Sequence, residues 1–375
     1  MSVQKPRLAI IGASYLQLPL IEKAKEKGYE THVFAWAAGD VGEAAADRFY
    51  PISIVEKDAI LDACRKAGVC GICTIASDLA AITVNYVANA LGLPGNSPAC
   101  TEKSTNKHLM RRAFEQGGDP GPRSLLVDEH TDLTALAAGL RWPVIVKPTD
   151  RSGSRGIFKL EGPEGLADAV RDACAQGFEK KALVEEFAAG QEYSIECVSQ
   201  NGVHHFLAAT LKHTTGAPHF IETGHEQPSG LDEATLERVR QVVFHALDTL
   251  EITHSASHSE LKIDADGTIR LIEIGGRMGG DMIGSDLVYL STGLDFVGMV
   301  VDLACGRPLD FTPKCAPRRA ASHFIFTRED AEAFYALRAA HPERIWKAGE
   351  VDEALLGQAT DSGTRAGWYV TAEEV

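Results

Sequence analysis

An alternation of strand-like and helix-like segments governs the first 92 residues. Apolar, strand-like runs occur at RLAIIGA (7–13), ETHVFAW (30–36) and VCGICTIA (69–76). Helical patterns lie between and after them, at 18–28, 56–68 and 79–92. Strands that alternate with helices of this length form βαβ units around a parallel sheet. The sequence therefore predicts an N-terminal, doubly wound α/β domain.

The rest of the chain has a different, α+β pattern. The turn-rich GLPGNSPA (92–99) closes the first unit, and one helix is expected over 101–118. Later strands include WPVIVKP (142–148), a hairpin around Asn201–Gly202, and the pair 256–264 and 268–275. Two further strands, at 321–326 and 365–370, indicate a small C-terminal subdomain. We predict domains at 1–112, 113–310 and 311–375.

Composition excludes several kinds of function. The formal charge of −15 disfavours nucleic acid as a partner. No apolar run reaches the roughly 18 residues of a membrane span, and the N-terminus lacks a signal-peptide pattern, so a cytoplasmic protein is expected. Gly12 follows the first strand without the other glycines of a dinucleotide-binding loop, which disfavours a dehydrogenase. Cys70 and Cys73 form the sole CxxC and are interpreted as buried apolar residues rather than zinc ligands.

Lys147 stands at a strand end, before the glycine-rich loop TDRSGSRG (149–156). One fixed cation, hydroxyl groups and unobstructed backbone amides are the components of a polyphosphate site. An exposed turn between strands is the alternative interpretation of this loop.

The segment LVEEFAAGQEYSIE (183–196) carries Glu185 and Glu186 on a strand and Glu192 after a turn. Such a segment can present a purine slot, with acids and backbone groups for the adenine edge and a later carboxylate for ribose hydroxyls. Solvated glutamates remain the alternative at this point.

Glu260 and Glu273 lie at nearly equal distances from a hairpin turn centred near residue 266 or 267. They are therefore expected to be direct neighbours on antiparallel strands. Two adjacent carboxylates are destabilising without a cation between them, and Mg²⁺ favours such hard oxygen ligands together with substrate phosphates. Arg277 follows among Gly275, Gly276, Gly279 and Gly280, where its guanidinium can reach a transferring phosphoryl group.

Together these motifs, over about residues 5 to 310, resemble the ATP-grasp superfamily, and in particular its carboxylate–amine ligase branch of L-amino acid ligases, related to biotin carboxylase and carbamoyl phosphate synthetase. The resemblance implies an ATP-grasp fold of two α+β lobes. It also implies Arg277 as catalytic residue and Glu260 and Glu273 as ligands of Mg²⁺, for which Mn²⁺ can substitute. The implied ATP site consists of Lys107, Lys147, Ser152, Gly153, Ser154, Arg155, Gly156, Glu185, Glu186, Ala188 and Glu192.

Within that site, the resemblance gives Lys107 and Lys147 to phosphates and the loop 150–156 to the β- and γ-phosphates. Glu185, Glu186 and Ala188 match the hinge that faces adenine, the latter two through backbone groups. Glu192 matches the carboxylate that binds the ribose.

One position departs from the pattern. Many members read Glu-x-Asn-x-Arg, with the asparagine as a further metal ligand, whereas this chain reads EIGGR with Gly275 at that place. Two-metal occupancy is therefore in doubt. His258, which precedes Glu260 in an HxE pattern, and His225 are candidate substrate residues. Ser77 and Asp78 are also candidates because they follow a strand of the first sheet, although helix capping is the plain alternative.

The resemblance implies a ligase that joins a small carboxylate to an amine through an acyl phosphate, with release of ADP and phosphate. The expected partners are small molecules, with neither nucleic acid nor membrane, and a homodimer is the default assembly. Two alternatives stay open: a bicarbonate-using carboxylase or carbamoyl-phosphate-type enzyme, and a non-catalytic nucleotide sensor.

Overall fold

The computed structural model describes residues 5–151, 153, 155–217 and 220–374. Its first sheet has four parallel strands in the order β3-β2-β1-β4, as the alternating pattern predicted. Helices connect these strands in chain order: β1 (Arg7–Ile11), α1 (Leu18–Glu26), β2 (Glu30–Phe34), α2 (Val41–Ala45), β3 (Arg48–Tyr50), α3 (Lys57–Ala67), β4 (Gly71–Cys73) and α4 (Asp78–Leu91).

The single helix expected over 101–118 is wrong. Two helices, α5 (Pro98–Thr105) and α6 (Lys107–Gly117), meet at Asn106, whose backbone is extended. The Asn106 side chain accepts hydrogen bonds from the backbone N–H groups of His108 and Leu109, so it caps the second helix. Lys107 thereby becomes the first residue of α6.

A second sheet is antiparallel, with four strands in the order β5-β8-β6-β7. Helix α8 packs its apolar face on this sheet. The elements are β5 (Ser124–Val127), α7 (Leu133–Ala138), β6 (Val144–Pro148), β7 (Phe158–Leu160), α8 (Leu166–Gln176) and β8 (Ala182–Glu186).

The third sheet has eight strands in the order β13-β12-β9-β10-β11-β14-β16-β15. Its elements are β9 (Gln191–Gln200), β10 (Val203–Thr214), β11 (Glu222–Gln227), α9 (Glu233–Thr249), β12 (Ser255–Ile263), β13 (Ile269–Gly275), α10 (Val288–Thr292), α11 (Phe296–Ala304), β14 (Arg318–Ile325), α12 (Arg328–Ala340), β15 (Ile345–Ala348) and β16 (Gly367–Glu374). A π-helical turn (Ile283–Leu287) precedes α10, and short 3₁₀ turns occupy Pro342–Arg344, Glu353–Leu355 and Ser362–Thr364. Strands β14–β16 continue the same sheet as β9–β13. The domain boundaries at 112 and 310 stay predictions.

Apolar side chains form separate cores in the molecule. One packs α1 and α11 together on one face of the first sheet, and another packs α9 against β9, β12 and β13. Cys73 is buried in the first of these cores, and across the described ranges no three His, Cys, Asp or Glu side chains are grouped to hold a metal ion. A search of the same residues for a helix long and apolar enough to cross a membrane found none.

Candidate functional site

A cleft of about 740 Å³ is lined by residues of the second and third sheets and by the segments that follow β1 and β4 of the first sheet. Its volume lies within the range of small-molecule sites in proteins. Gly156 belongs to the same loop as three lining residues, Arg151, Gly153 and Arg155, but does not line the cleft itself. Ser152 and Ser154 lie outside the described residues. The predicted site residues that line it are Ser77, Asp78, Lys107, Lys147, Gly153, Arg155, Glu185, Glu186, Ala188, Glu192, His225, His258, Glu260, Glu273 and Arg277.

At one end of the cleft, Glu185 lies between two cations. Its carboxylate accepts a 2.7 Å hydrogen bond from Nε of Arg111 and approaches Nζ of Lys147 at 2.6 Å. Burial alone would raise the pKa of Glu185, but Arg111 and Lys147 outweigh it and lower the pKa to about 2. Burial lowers the pKa of Lys147 despite this ion pair. Glu185 is therefore a buried ionised group and not a solvated glutamate.

Arg111 was missed by the sequence analysis. It follows Lys107 by four residues on α6, so both side chains project from one face of the helix. Its Nη2 also donates a 2.6 Å hydrogen bond to the carbonyl of Ile272 on β13. The four-residue spacing from Lys107 to Arg111 was the sequence signal that could have indicated a second cation in the site. Glu186 differs from Glu185 because its partners, Arg123 and Arg141, are exposed and 3.6 to 3.7 Å away.

Glu260 and Glu273 are paired residues of β12 and β13, as their equal distances from the hairpin turn predicted. Each carboxylate is matched by its own lysine. Lys107 Nζ donates to Glu273 at 2.7 Å and to the carbonyl of Arg151 at 2.7 Å, while Lys212 pairs with Glu260. These two cations offset the repulsion between the adjacent acids.

Lys212 is the second residue that the sequence analysis missed. Its side chain is 3% exposed and lies 3.2 Å from Glu192 and 3.9 Å from Glu222, in addition to its contact with Glu260. Burial would lower the pKa of Lys212, but these carboxylates raise it well above its usual value. The signal was a lone cation at the end of the apolar strand segment FLAATLK (206–212).

His258 bridges two carboxylates. Its Nδ1 lies 2.5 Å from Glu196 and its Nε2 lies 3.3 Å from Glu260. Burial would lower the pKa of His258, but the two acids raise it to about 9, so the ring is an imidazolium at neutral pH. His254, four residues earlier in the sequence, hydrogen-bonds to the carbonyl of Leu303 at 3.0 Å and is not in contact with Glu196 or Glu260.

Asp78 and Arg277 form a two-point ion pair across the cleft. Nη2 of Arg277 donates to Oδ2 of Asp78 at 2.9 Å, and Nε lies 2.8 Å from Oδ1. Burial would raise the pKa of Asp78, but Arg277 lowers it. Ser77, one residue earlier, caps α4 by accepting a hydrogen bond from the N–H of Ala80. The capping interpretation thus describes Ser77, while Asp78 contacts the predicted catalytic arginine.

The other end of the cleft is built around Asp281 and Arg365. Arg365 donates to Asp281 at 2.8 Å and to Glu222 at 3.0 Å, and its guanidinium lies 3.6 Å from the ring centre of Phe324. His225 is 1% exposed and lies 3.7 Å from Asp281. Burial lowers the pKa of His225, so its ring is neutral. The stacked rings of Tyr15 and Trp368 form the adjacent wall.

A segment that forms much of the cleft is similar to a known domain family. Residues 140–286 match the family described as the ATP-grasp domain. This segment of the chain is therefore an ATP-grasp domain, as the motifs within it predicted.

Within this class, the chain is similar to named ligases. It is 30% identical to D-alanine–D-alanine ligase of Halorhodospira halophila over 44% of this chain and 55% of that protein. It is 27% identical to alanine–anticapsin ligase of Bacillus subtilis over 57% of this chain and 50% of that protein. The L-amino acid ligase structure from Bacillus licheniformis superposes with a TM-score of 0.82 at 25% identity, over 100% of this chain and 95% of that one. The chain spans about half the length of the first curated relatives it matches.

Proposed function

We propose that the protein is an ATP-dependent ligase that joins a small carboxylate to an amine and releases ADP and phosphate. The observation that carries this proposal is the register pairing of Glu260 with Glu273 in the same cleft as Arg277. The ligase names of the relatives support it.

The nucleotide would occupy the end of the cleft near Lys147 and Glu185. Phe187 lies there, with Nζ of Lys159 at 4.6 Å and Nζ of Lys262 at 5.1 Å from its ring centre, so an aromatic wall adjoins the predicted hinge. Lys107 and Lys212 would hold phosphate oxygens, because both are buried cations that already contact the paired acids. Gly153 and Arg155 would cover the phosphates from the facing loop.

Glu260 and Glu273 suit Mg²⁺ or Mn²⁺, since this chemistry typically combines one or two carboxylates with phosphate oxygens. Two acids with no third protein ligand among the described residues fit a metal held largely by the nucleotide. When bound, the metal offsets charge on the transferring phosphoryl group. The protein's own contribution is to position the groups and to exclude water.

The carboxylate and amine substrates would bind between Arg277 and the recess formed by Asp281, His225 and Arg365. Arg277 would contact the oxygen on which negative charge develops, and an ionised Asp281 with a neutral His225 suits an amine nearby. A homodimer and a cytoplasmic location remain predictions of this proposal.

The test measures ADP release from Mg·ATP by chromatography, with an amino-acid pool and bicarbonate supplied separately. We expect ADP with the amino-acid pool, and its loss in Glu273→Gln. Glu332→Gln, which removes an exposed carboxylate on α12, is the matched control and should keep wild-type turnover. ADP with bicarbonate alone would favour a carboxylating enzyme, AMP would contradict an acyl phosphate, and nucleotide binding without turnover would favour a sensor.

A further inference from the structure

Gly275 lies beneath the ion pair between Asp78 and Arg277. A Cβ atom added at residue 275 would fall 2.9 Å from Oδ1 of Asp78 and 3.0 Å from Cζ of Arg277. Contacts this close require the neighbouring groups to shift, so a side chain at 275 would displace the carboxylate of Asp78 and the guanidinium of Arg277 from their present positions. The space into which a side chain at residue 275 would project is taken by the carboxylate of Asp78.

The segment that carries Asp78 is held against the glycine-rich loop by more than the ion pair. The N–H of Ala76 donates a 3.1 Å hydrogen bond to the carbonyl of Met278. Ala76 has a φ of +62°, a left-handed conformation that costs an alanine roughly 1–2 kcal/mol. A Cβ at Gly280 would lie 3.1 Å from Cβ of Ala76, so the two chains are in close contact. The contacts with the glycine-rich loop keep Ala76 in this strained conformation. They therefore also fix the backbone position of Asp78, two residues later.

The ion pair leaves part of the guanidinium of Arg277 without hydrogen bonds. Nη2 donates to Asp78 and Nε lies 2.8 Å from its Oδ1, but Nε and Nη1 are both buried without a hydrogen-bond partner within the part of the chain that the structure describes. Of these two nitrogens, Nη1 is the one that does not face Asp78. Arg277 lines the cleft together with Glu273 and Lys107. A guanidinium fixed along one edge presents its remaining nitrogen in one direction, which is the preorganisation that transition-state stabilisation requires.

We propose that Asp78 is a positioning residue for Arg277: it fixes the guanidinium so that Nη1 meets the transferring phosphoryl group. This inference rests on the proposed nucleotide-dependent function. It extends that function by assigning Asp78 to the reaction centre rather than to substrate selection. Misplacement of such a group by about 1 Å typically lowers rates by on the order of 100-fold.

The experiment compares two complexes by isothermal titration calorimetry: Mg·ADP alone, and Mg·ADP with aluminium fluoride, which mimics the transferring phosphoryl group. Asp78→Asn should bind Mg·ADP within twofold of wild type. It should bind the aluminium fluoride complex at least tenfold more weakly, because only that complex uses Nη1 of Arg277. A merely structural role for Asp78 would change both affinities together.

Gly275→Ala provides an independent variant because it displaces the pair while leaving Asp78 intact. It should reproduce the selective loss of Asp78→Asn, and the double variant should be less than twofold worse than either single variant. Glu233→Gln is the matched control. It removes an acid from the first position of α9, as Asp78 occupies the first position of α4, and should match wild type in both titrations.

Three results would overturn the positioning role: equal aluminium fluoride affinity in Asp78→Asn and wild type, additive losses in the double variant, or no gain from aluminium fluoride in wild type. Failure of the wild-type protein to bind Mg·ADP would instead refute the proposed function itself. The two failures are therefore distinguishable within one set of titrations.

Discussion

The ion pairs of Glu185 allow a quantitative prediction about acid stability. In the folded protein its pKa is about 2, compared with an ordinary value of 4.5. A difference of this size corresponds to roughly 3 kcal/mol of folding free energy near neutral pH. Since the folded pKa is depressed, this stabilisation is fully present above about pH 4.5 and is lost as the pH falls towards 2. Glu185→Gln also leaves Arg111 and Lys147 without their carboxylate, a loss that typically costs about 3–5 kcal/mol.

The assay is urea unfolding of wild type and Glu185→Gln at a series of pH values from 7 to 3, followed by circular dichroism. The difference in unfolding free energy should be large at pH 7 and should shrink as the pH falls below 4.5. Glu186→Gln is the control. Its arginine partners are exposed and more than 3.5 Å away, so it should cost less than about 1 kcal/mol. A pH-independent difference, or equal effects of the two variants, would refute the electrostatic reasoning.

Three further variants test other parts of the cleft. Gly279→Ala would place a Cβ 2.7 Å from Nδ1 of His258 and 3.0 Å from Glu196. We therefore expect the free energy of unfolding to fall by about 1–3 kcal/mol, seen as a lower Tm by differential scanning fluorimetry. An unchanged Tm would contradict this packing. Asn106→Ala removes the cap of α6 and should lower the free energy of unfolding in urea by about 1 kcal/mol. Because Lys107 is the first residue of that helix, the KM for ATP should also rise. Unchanged values of both quantities would contradict the role of the cap. Arg365→Gln breaks two ion pairs in the recess. Steady-state assays should show the KM for the carboxylate or amine rising about tenfold and the KM for ATP staying within twofold. The opposite pattern would assign Arg365 to the nucleotide site.

Local patterns in the sequence were sufficient for much of the fold. The alternation of strands with helices fixed the parallel sheet, and the symmetric spacing of Glu260 and Glu273 about a short turn fixed their register. Both inferences depend on neighbouring segments, where geometry leaves few options. The break at Asn106 was not predicted, because asparagine is tolerated within a helix and also favoured as a cap.

The partners of the site residues were not accessible in the same way. Lys212 meets Glu260 across 48 positions of sequence, Arg111 meets Glu185 across 74, and Asp78 meets Arg277 across 199. Each side chain has an ordinary structural explanation by itself. Only the tertiary fold brings the opposite charges together, so spacing along one sequence carries no record of the pairing.

The location of Arg365 and Trp368 has a consequence for biosynthesis. Among the described residues that line the cleft, those from 362 to 368 leave the ribosome last. Trp368 lies on β16, which begins shortly after Arg365, and this strand is inserted between β14 and β15 rather than added at the sheet edge. Domains fold as units from the N-terminus during synthesis, but a nascent chain cannot complete the recess around Asp281 until residues 362–368 have been made. A premature stop codon before residue 365 would therefore remove Arg365 and Trp368 from the wall of the cleft, together with strand β16.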